Sequence, residues 1–179
     1  MAASVSSSLL KLSDSELLKE CEVSAYKGSG PGGQHRNKTN SGVKLKIRGG
    51  ESASLESYSC DDRSSHINKL LALKKLRLKI ALQIREEPTP QIPFPFPGAG
   101  GKISQSNALY PQFIADVLDR INFCKGDIAE AANIWGLSKS ALNKIIIQDK
   151  KVLETFQKIR SAASPMPSRE NSSKDLPIH

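Results

Sequence analysis

The chain has 179 residues, 38% apolar and 25% charged, and its 26 Lys and Arg against 18 Asp and Glu give a net charge of +8. That length allows one good domain or two small ones, and no apolar run approaches the length of a membrane span. The basic balance points to an anionic partner, and with aromatics at 5% the expected anchor is phosphate rather than a row of stacked bases.

The first ten residues are Ser-rich but hold no Arg and no long apolar core. A secretory signal is therefore not expected, and a cytoplasmic setting is favoured over an organellar one. Ser13 followed three residues later by Glu16 is a capping-box spacing, which places a helix near residues 14–20. Cys21 to Tyr26 then reads as a strand. Between Lys27 and Arg48 the chain changes character. Gly28, Gly30, Gly32 and Gly33 surround Pro31, which rules out regular structure and predicts an exposed loop able to press its backbone, and Gln34, against a ligand. Around the glycines lie Lys27, His35, Arg36, Lys38, Lys44, Lys46 and Arg48 with no acidic residue among them, so the expected partner is a nucleic acid. Residues 34–41 read as a short helical or irregular turn. Val43 to Arg48 alternates, setting Val43, Leu45 and Ile47 toward a core and Lys44, Lys46 and Arg48 outward. Gly49 and Gly50 turn the chain into a partner strand, Ala53 to Cys60.

The strongest helix begins at an N-cap of Ser64 or Ser65, carries Ile67, Leu70, Leu71, Leu73, Leu76, Leu78, Ile80, Leu82 and Ile84, and runs until Pro88 stops it. Its leucines occupy more than one stripe, so it is expected to pack on the sheet with one face and on something else with another. Its basic residues suit a solvated face and phosphate contact equally. The resulting organisation is a first unit over 1–87 that carries the glycine loop, a Pro/Gly-rich linker over 88–105, a helical unit over 106–160 and a disordered tail over 161–179. In the helical unit, Tyr110-Pro111 starts a helix reaching about Phe123. Ile128 to Ile145 has the layout of a helix-turn-helix: Ala132 is small where helices cross, Gly136 suits the left-handed turn, Ser138 caps the second helix, and Trp135, Leu137, Leu142 and Ile145 face inward. Lys139, Asn143 and Lys144 face outward, a set better suited to packing or RNA docking than to reading a DNA sequence. Lys150, Lys151, Lys158 and Arg160 continue a basic helix.

The run Gly28-Ser29-Gly30-Pro31-Gly32-Gly33-Gln34-His35, with Asn37-Lys38, Ser41 and Val43 after it and Arg63-Ser64-Ser65-His66-Ile67-Asn68-Lys69 further on, resembles the Gly-Gly-Gln domain of class I peptide chain release factors and of codon-independent ribosome rescue factors. It departs from the family at Arg36, Gly42 and Ser65, none of which touches the Gly-Gly-Gln triplet. The resemblance covers roughly the first half of the chain and makes the unit over 1–87 a release-factor-like domain. It implies an α+β fold, a small mixed or antiparallel sheet packed on a long helix with an exposed loop. It also implies hydrolysis of the ester between nascent peptide and tRNA in the peptidyl-transferase centre, with Gly32, Gly33 and Gln34 catalytic. Lys27, Ser29, His35, Arg36, Asn37, Lys38, Lys44, Lys46, Arg48, Arg63, His66, Lys69, Lys139 and Lys144 are the candidate RNA contacts. Gln34 becomes a candidate for N5-methylation by a glutamine methyltransferase.

Cys21, Cys60 and Cys124 are far apart and lack a Cys-x-x-Cys spacing, so neither a disulfide framework nor a zinc site is supported, and no cofactor is expected. The spacing proposes no Ser-His-Asp, Cys-His or paired-carboxylate centre either. The partners to expect are large-subunit rRNA and peptidyl-tRNA, with the protein acting as a monomer. The layout shows no evident stop-codon-reading region, which favours codon-independent rescue of stalled ribosomes. Some rescue factors end in an Arg/Lys-dense tail, whereas this tail offers Arg169 and Lys174 against Glu170 and Asp175, so the helical unit is the expected source of ribosome or tRNA contacts. The competing reading is a non-catalytic RNA- or DNA-binding regulator built on the helix-turn-helix.

Overall fold

The structure is a computed structural model, and it describes residues 5–27, 41–48, 55–90 and 94–163. The chain is α+β. Two short helices, α1 (Val5–Lys11) and α2 (Asp14–Lys19), precede a three-stranded sheet of β1 (Cys21–Tyr26), β2 (Gly42–Ile47) and β3 (Glu56–Ser59), and the long helix α3 (Ser65–Gln83) comes after it. Four further helices follow among the described residues: α4 (Tyr110–Phe123), α5 (Ile128–Ile134), α6 (Lys139–Gln148) and α7 (Lys150–Ala163).

The sheet is antiparallel throughout with spatial order β1-β2-β3, and its register sets Cys21 against Ile47, Tyr26 against Gly42 and Val43 against Ser59. Val43, Leu45 and Ile47 are buried with Ala72, Leu73, Leu76, Ile80 and Ala81 of α3, as the alternation of β2 requires. Ser57 and Ser59 also turn inward. Their small side chains let α3 come close, and each hydroxyl is satisfied there: Ser57 donates to the carbonyl of Ala72 at 2.7 Å, and Ser59 to the carboxylate of Asp61 at 2.8 Å. The described part of the partner strand is shorter than the expected span, four residues from Glu56, while the carbonyl of Leu55 still accepts the amide of Ile47.

The capping box of α2 is formed, Ser13 accepting from the Glu16 amide while the Glu16 carboxylate accepts from the Ser13 amide at 2.8 Å. Of the two candidate N-caps, Ser64 is the one that caps α3. Helix α3 ends four residues earlier than the sequence suggests. Arg85 and the amide of Glu86 are drawn instead to the carboxylate of Asp119 on α4, at 2.7 and 3.2 Å. Helix α1 is not announced by the sequence. It buries Leu9 and Leu10, and the carbonyl of Leu10 accepts from both Arg77 of α3 and Gln112 of α4.

A second core gathers α4 to α7 around Phe113, Ile114, Leu118, Trp135, Leu142, Ile146 and Phe156. The Pro-rich stretch before it contributes to that core: Phe94 packs on Trp135 (ring centroids 5.4 Å) and Phe96 on Phe113 (5.3 Å), with Ile103 buried below. The helix-turn-helix-like geometry is present, with Gly136 at φ +62°, the Leu137 amide donating to the Ala132 carbonyl at 2.9 Å and Ser138 capping α6. Helix α7 extends to Ala163, past the expected start of the tail at Ser161, whose hydroxyl donates to the Lys158 carbonyl. Residues 164–179 lie outside the described residues.

The two cores meet. Ala115 of α4 is buried in the sheet core, while Leu78 and Leu82 of α3 pack against the helical one. Arg85 and Asp119 close this junction at 2.7 Å, and burial pushes the Asp119 carboxyl up to about 7 against the opposing pull of Arg85. Replacing Asp119 by Ala strands the Arg85 guanidinium, and we expect a loss of about 3 kcal/mol in chemical denaturation. Because the raised carboxyl binds its proton more readily folded than unfolded, its contribution to stability is fully present below about pH 4 and is lost as pH rises through 7. Wild-type stability should decline over that window relative to Asp119→Asn, and parallel pH profiles would exclude the shift.

Candidate functional site

The segment that carries the sequence motif connects the neighbouring antiparallel strands β1 and β2, so its two feet, Tyr26 and Gly42, stand opposite each other in the ladder. They are close enough that a Cβ on Gly42 would overlap the carbonyl oxygen of Tyr26. The Tyr26 ring stacks on Tyr58 of β3, centroids 4.5 Å apart and planes at 28°. Gly32, Gly33 and Gln34, together with Ser29, His35, Arg36, Asn37 and Lys38, lie outside the described residues. Lys27, the last described residue before them, is exposed.

On the outer face of the sheet Lys46 is exposed, while Lys44 is half-buried and bonded to Glu56 of β3 at 2.7 Å. That hydrogen bond holds the Glu56 carboxyl below its usual range. Glu22 stands opposite Lys46 in the register. The face is therefore mixed in charge where β2 alone reads as purely basic, because the acidic partners come from strands on either side of it. Arg48, Arg63 and His66 are exposed and Lys69 is half-buried, whereas Lys75 and Arg77 are held by Asp61 and Asp14, each at 2.8 Å. In the helical unit Lys139 and Lys144 are exposed on α6, with Asn143 between them and Lys150 and Lys151 at the start of α7. Among the described residues the candidate cations thus form two groups, one at the sheet and the start of α3, the other on the second helix of the helix-turn-helix-like pair and the start of α7.

Two residues without an assigned role in the sequence emerge from the geometry. Tyr58 anchors Tyr26, and Asn68, wholly buried in the first turns of α3, reaches back to Ser41 at the loop's second foot. A polar residue on the inward stripe of an otherwise apolar helix is the available signal for Asn68. Among the described residues no group of three or more His, Cys, Asp or Glu could hold a metal ion. Cys124 is pushed up to about 11, chiefly by burial, which leaves it far from a reactive thiolate.

Residues 14–92 match the RF-1 domain. The match takes in both sequence motifs, the whole sheet and α3. The chain is 42% identical over 72 residues to peptide chain release factor 1 of Rickettsia canadensis, covering 40% of this chain and 18% of that protein. It is 39% identical over 68 residues to peptide chain release factor 1 of Leptothrix cholodnii, covering 38% and 18%. The chain spans about a fifth of the length of the curated relatives it matches. No solved structure matches.

The Lys44–Glu56 pair yields a test. Glu56→Gln frees Lys44, and binding to an RNA or heparin probe should tighten, with the log-log salt slope steeper by about one, whereas Lys46→Ala should make it shallower by about one. Identical slopes for the three proteins would show that this face does not meet the polyanion.

Proposed function

We propose that the protein is a codon-independent release factor that promotes hydrolysis of the peptidyl-tRNA ester in the peptidyl-transferase centre of stalled ribosomes. The observation that carries the reading is the intact Gly32-Gly33-Gln34 within a segment matching the RF-1 domain. In this mechanism the backbone N–H at Gln34 donates to the oxyanion that develops on the ester carbonyl, and the Gln34 side chain positions the attacking water. Gly32 and Gly33 supply backbone geometry closed to other residues, so that the main chain itself approaches the ester. Such a centre borrows the rest of its chemistry from the ribosome, in keeping with a chain whose spacing proposes no hydrolytic triad or acid pair. N5-methylation of Gln34 would trim its donor capacity and bias which atom faces water.

Codon independence is supported by the helix-turn-helix-like unit C-terminal to the matched segment, which exposes Lys139, Lys144, Lys150 and Lys151 and packs directly on α3. In this reading those lysines meet rRNA or tRNA phosphates and carry part of the affinity. The sheet-side cations Lys27, Lys46, Arg48, Arg63 and Lys69 carry another part near the loop, on a protein acting as a monomer in the cytoplasm.

Gly33→Ala should abolish peptide release from stalled ribosomes and leave ribosome binding within about twofold, since a methyl group obstructs backbone approach without changing charge. Release with no codon in the A site should be at least as fast as on a stop codon; strong selective stimulation by a stop codon overturns the rescue reading. Changing Lys139, Lys144, Lys150 and Lys151 together to Ala should weaken ribosome binding and flatten its salt dependence by up to about four in the log-log slope, with release at saturation nearly unchanged. Selection of a particular duplex DNA site by the wild type would favour the regulatory reading instead.

A further inference from the structure

The second sequence motif, residues 63–69, sits far from the Gly-Gly-Gln triplet in the chain, and the structure brings it to the base of the loop that holds the triplet. Asn68 is wholly buried, and its carboxamide makes three hydrogen bonds to the backbone of Ser41 and Asp62. Its Nδ2 donates to the carbonyl of Ser41 and to the carbonyl of Asp62, both at 2.8 Å, while its Oδ1 accepts the amide of Asp62 at 2.9 Å. The Ser41 hydroxyl adds a bond to the same Asp62 carbonyl at 3.2 Å. The connection that receives these bonds is itself pinned. Asp62 accepts from the Ser64 amide at 2.7 Å, Ser64 caps α3, and Asp61 beside it is tied to Lys75.

We propose that Asn68 is a positioning residue for the Gly-Gly-Gln loop: its carboxamide fixes the point at which the chain re-enters the sheet, at Ser41, against the β3–α3 connection. The other foot is fixed from the same segment, through the stack of Tyr26 on Tyr58. Every bond Asn68 makes is to backbone, so it sets main-chain position, and main-chain position is what a catalytic N–H requires. Only an amide side chain provides two N–H donors and an acceptor in one plane. Aspartate keeps the shape and the acceptor but sets a second oxygen against two carbonyl oxygens. Serine and alanine leave the same carbonyls bare.

The kinetic part of this inference rests on the release-factor reading; the structural part does not, and the test separates them. Asn68→Asp is compared with Leu76→Ala, which destabilises the same helix two turns further on without touching the clasp, at temperatures where both remain folded by circular dichroism. On stalled ribosomes, Asn68→Asp should lower kcat for peptide release by at least about tenfold with KM for the ribosome within about twofold, while Leu76→Ala leaves kcat near wild type. In amide exchange on the free protein, Asn68→Asp should accelerate exchange selectively in segments 27–44 and 60–64, where Leu76→Ala spreads its effect over the sheet and α3. Exchange that is indistinguishable between the two variants overturns the clasp whether or not the protein releases peptide. A matched kcat for both variants, with the wild type active, overturns its role in positioning. A wild type that releases nothing overturns the release reading and leaves the exchange result to decide the clasp.

Discussion

The packing of α3 is the constraint on which the other elements depend. Ala72, Leu73, Leu76, Ile80 and Ala81 turn to the sheet, and Leu78 and Leu82 turn to the helical unit, so one helix is a wall of both cores. Each buried Leu or Ile contributes about 1.5–3 kcal/mol, and together these side chains outweigh any single polar contact in the molecule. The polar contacts decide something else, which is where the two ends of the wall attach. At 19 residues α3 is about 28 Å long. Asn68, near its first turn, holds the loop's foot, and Arg85, just past its last, holds α4.

The buried polar groups share a pattern. Asn68, Ser57, Asp119 and Arg120 are among the few such residues, and each ties its own element to another residue's backbone or charge. Asp116 gathers Arg120 at 2.6 Å and the indole N–H of Trp135 at 3.0 Å, joining α4 to the end of α5, where the helix-turn-helix turn begins. Such groups are costly to desolvate and costly to leave half-satisfied, so they define register and docking more than they add stability. Among the described residues they mark the loop base, the contact of β3 with α3, the seam between the two cores and the helix-turn-helix turn.

Much of this was legible locally. The Ser13 and Ser64 caps, the alternation of β2, Pro111 at the start of α4 and the Gly136–Ser138 turn are short-range signals, and each is realised as read. The features that escaped depend on partners distant in sequence. Helix α1 is held by Arg77 and Gln112, some 67 and 102 residues away, and nothing in its own Ser-rich composition announces that. The early end of α3 answers to Asp119 on another helix. The proline-rich stretch reads as a spacer because proline content reports backbone stiffness, whereas Phe94 and Phe96 follow Trp135 and Phe113. Asn68 was visible as a residue and as part of a motif, but its role needed Ser41, 27 residues earlier, to be brought beside it.

A release centre built on backbone amides faces a particular physical difficulty. On the release reading, glycines at 28, 30, 32 and 33 open backbone conformations closed to other residues, and that freedom costs about 1–2 kcal/mol per residue to remove when one conformation is required. On that reading the ribosome supplies part of that ordering, and a segment whose ends are already held together is spared the entropy of bringing them together. Here the ends are set by the fold: Tyr26 and Gly42 are ladder partners, and the β3–α3 segment grips both sides of that pair, through Tyr58 on one foot and through Asn68, Asp62 and Ser41 on the other. On the release reading proposed above, the Gly-Gly-Gln motif and the Arg63–Lys69 motif are two halves of one device: the first carries the reacting residues, and the second, through Asn68, fixes Ser41, where the chain re-enters the sheet.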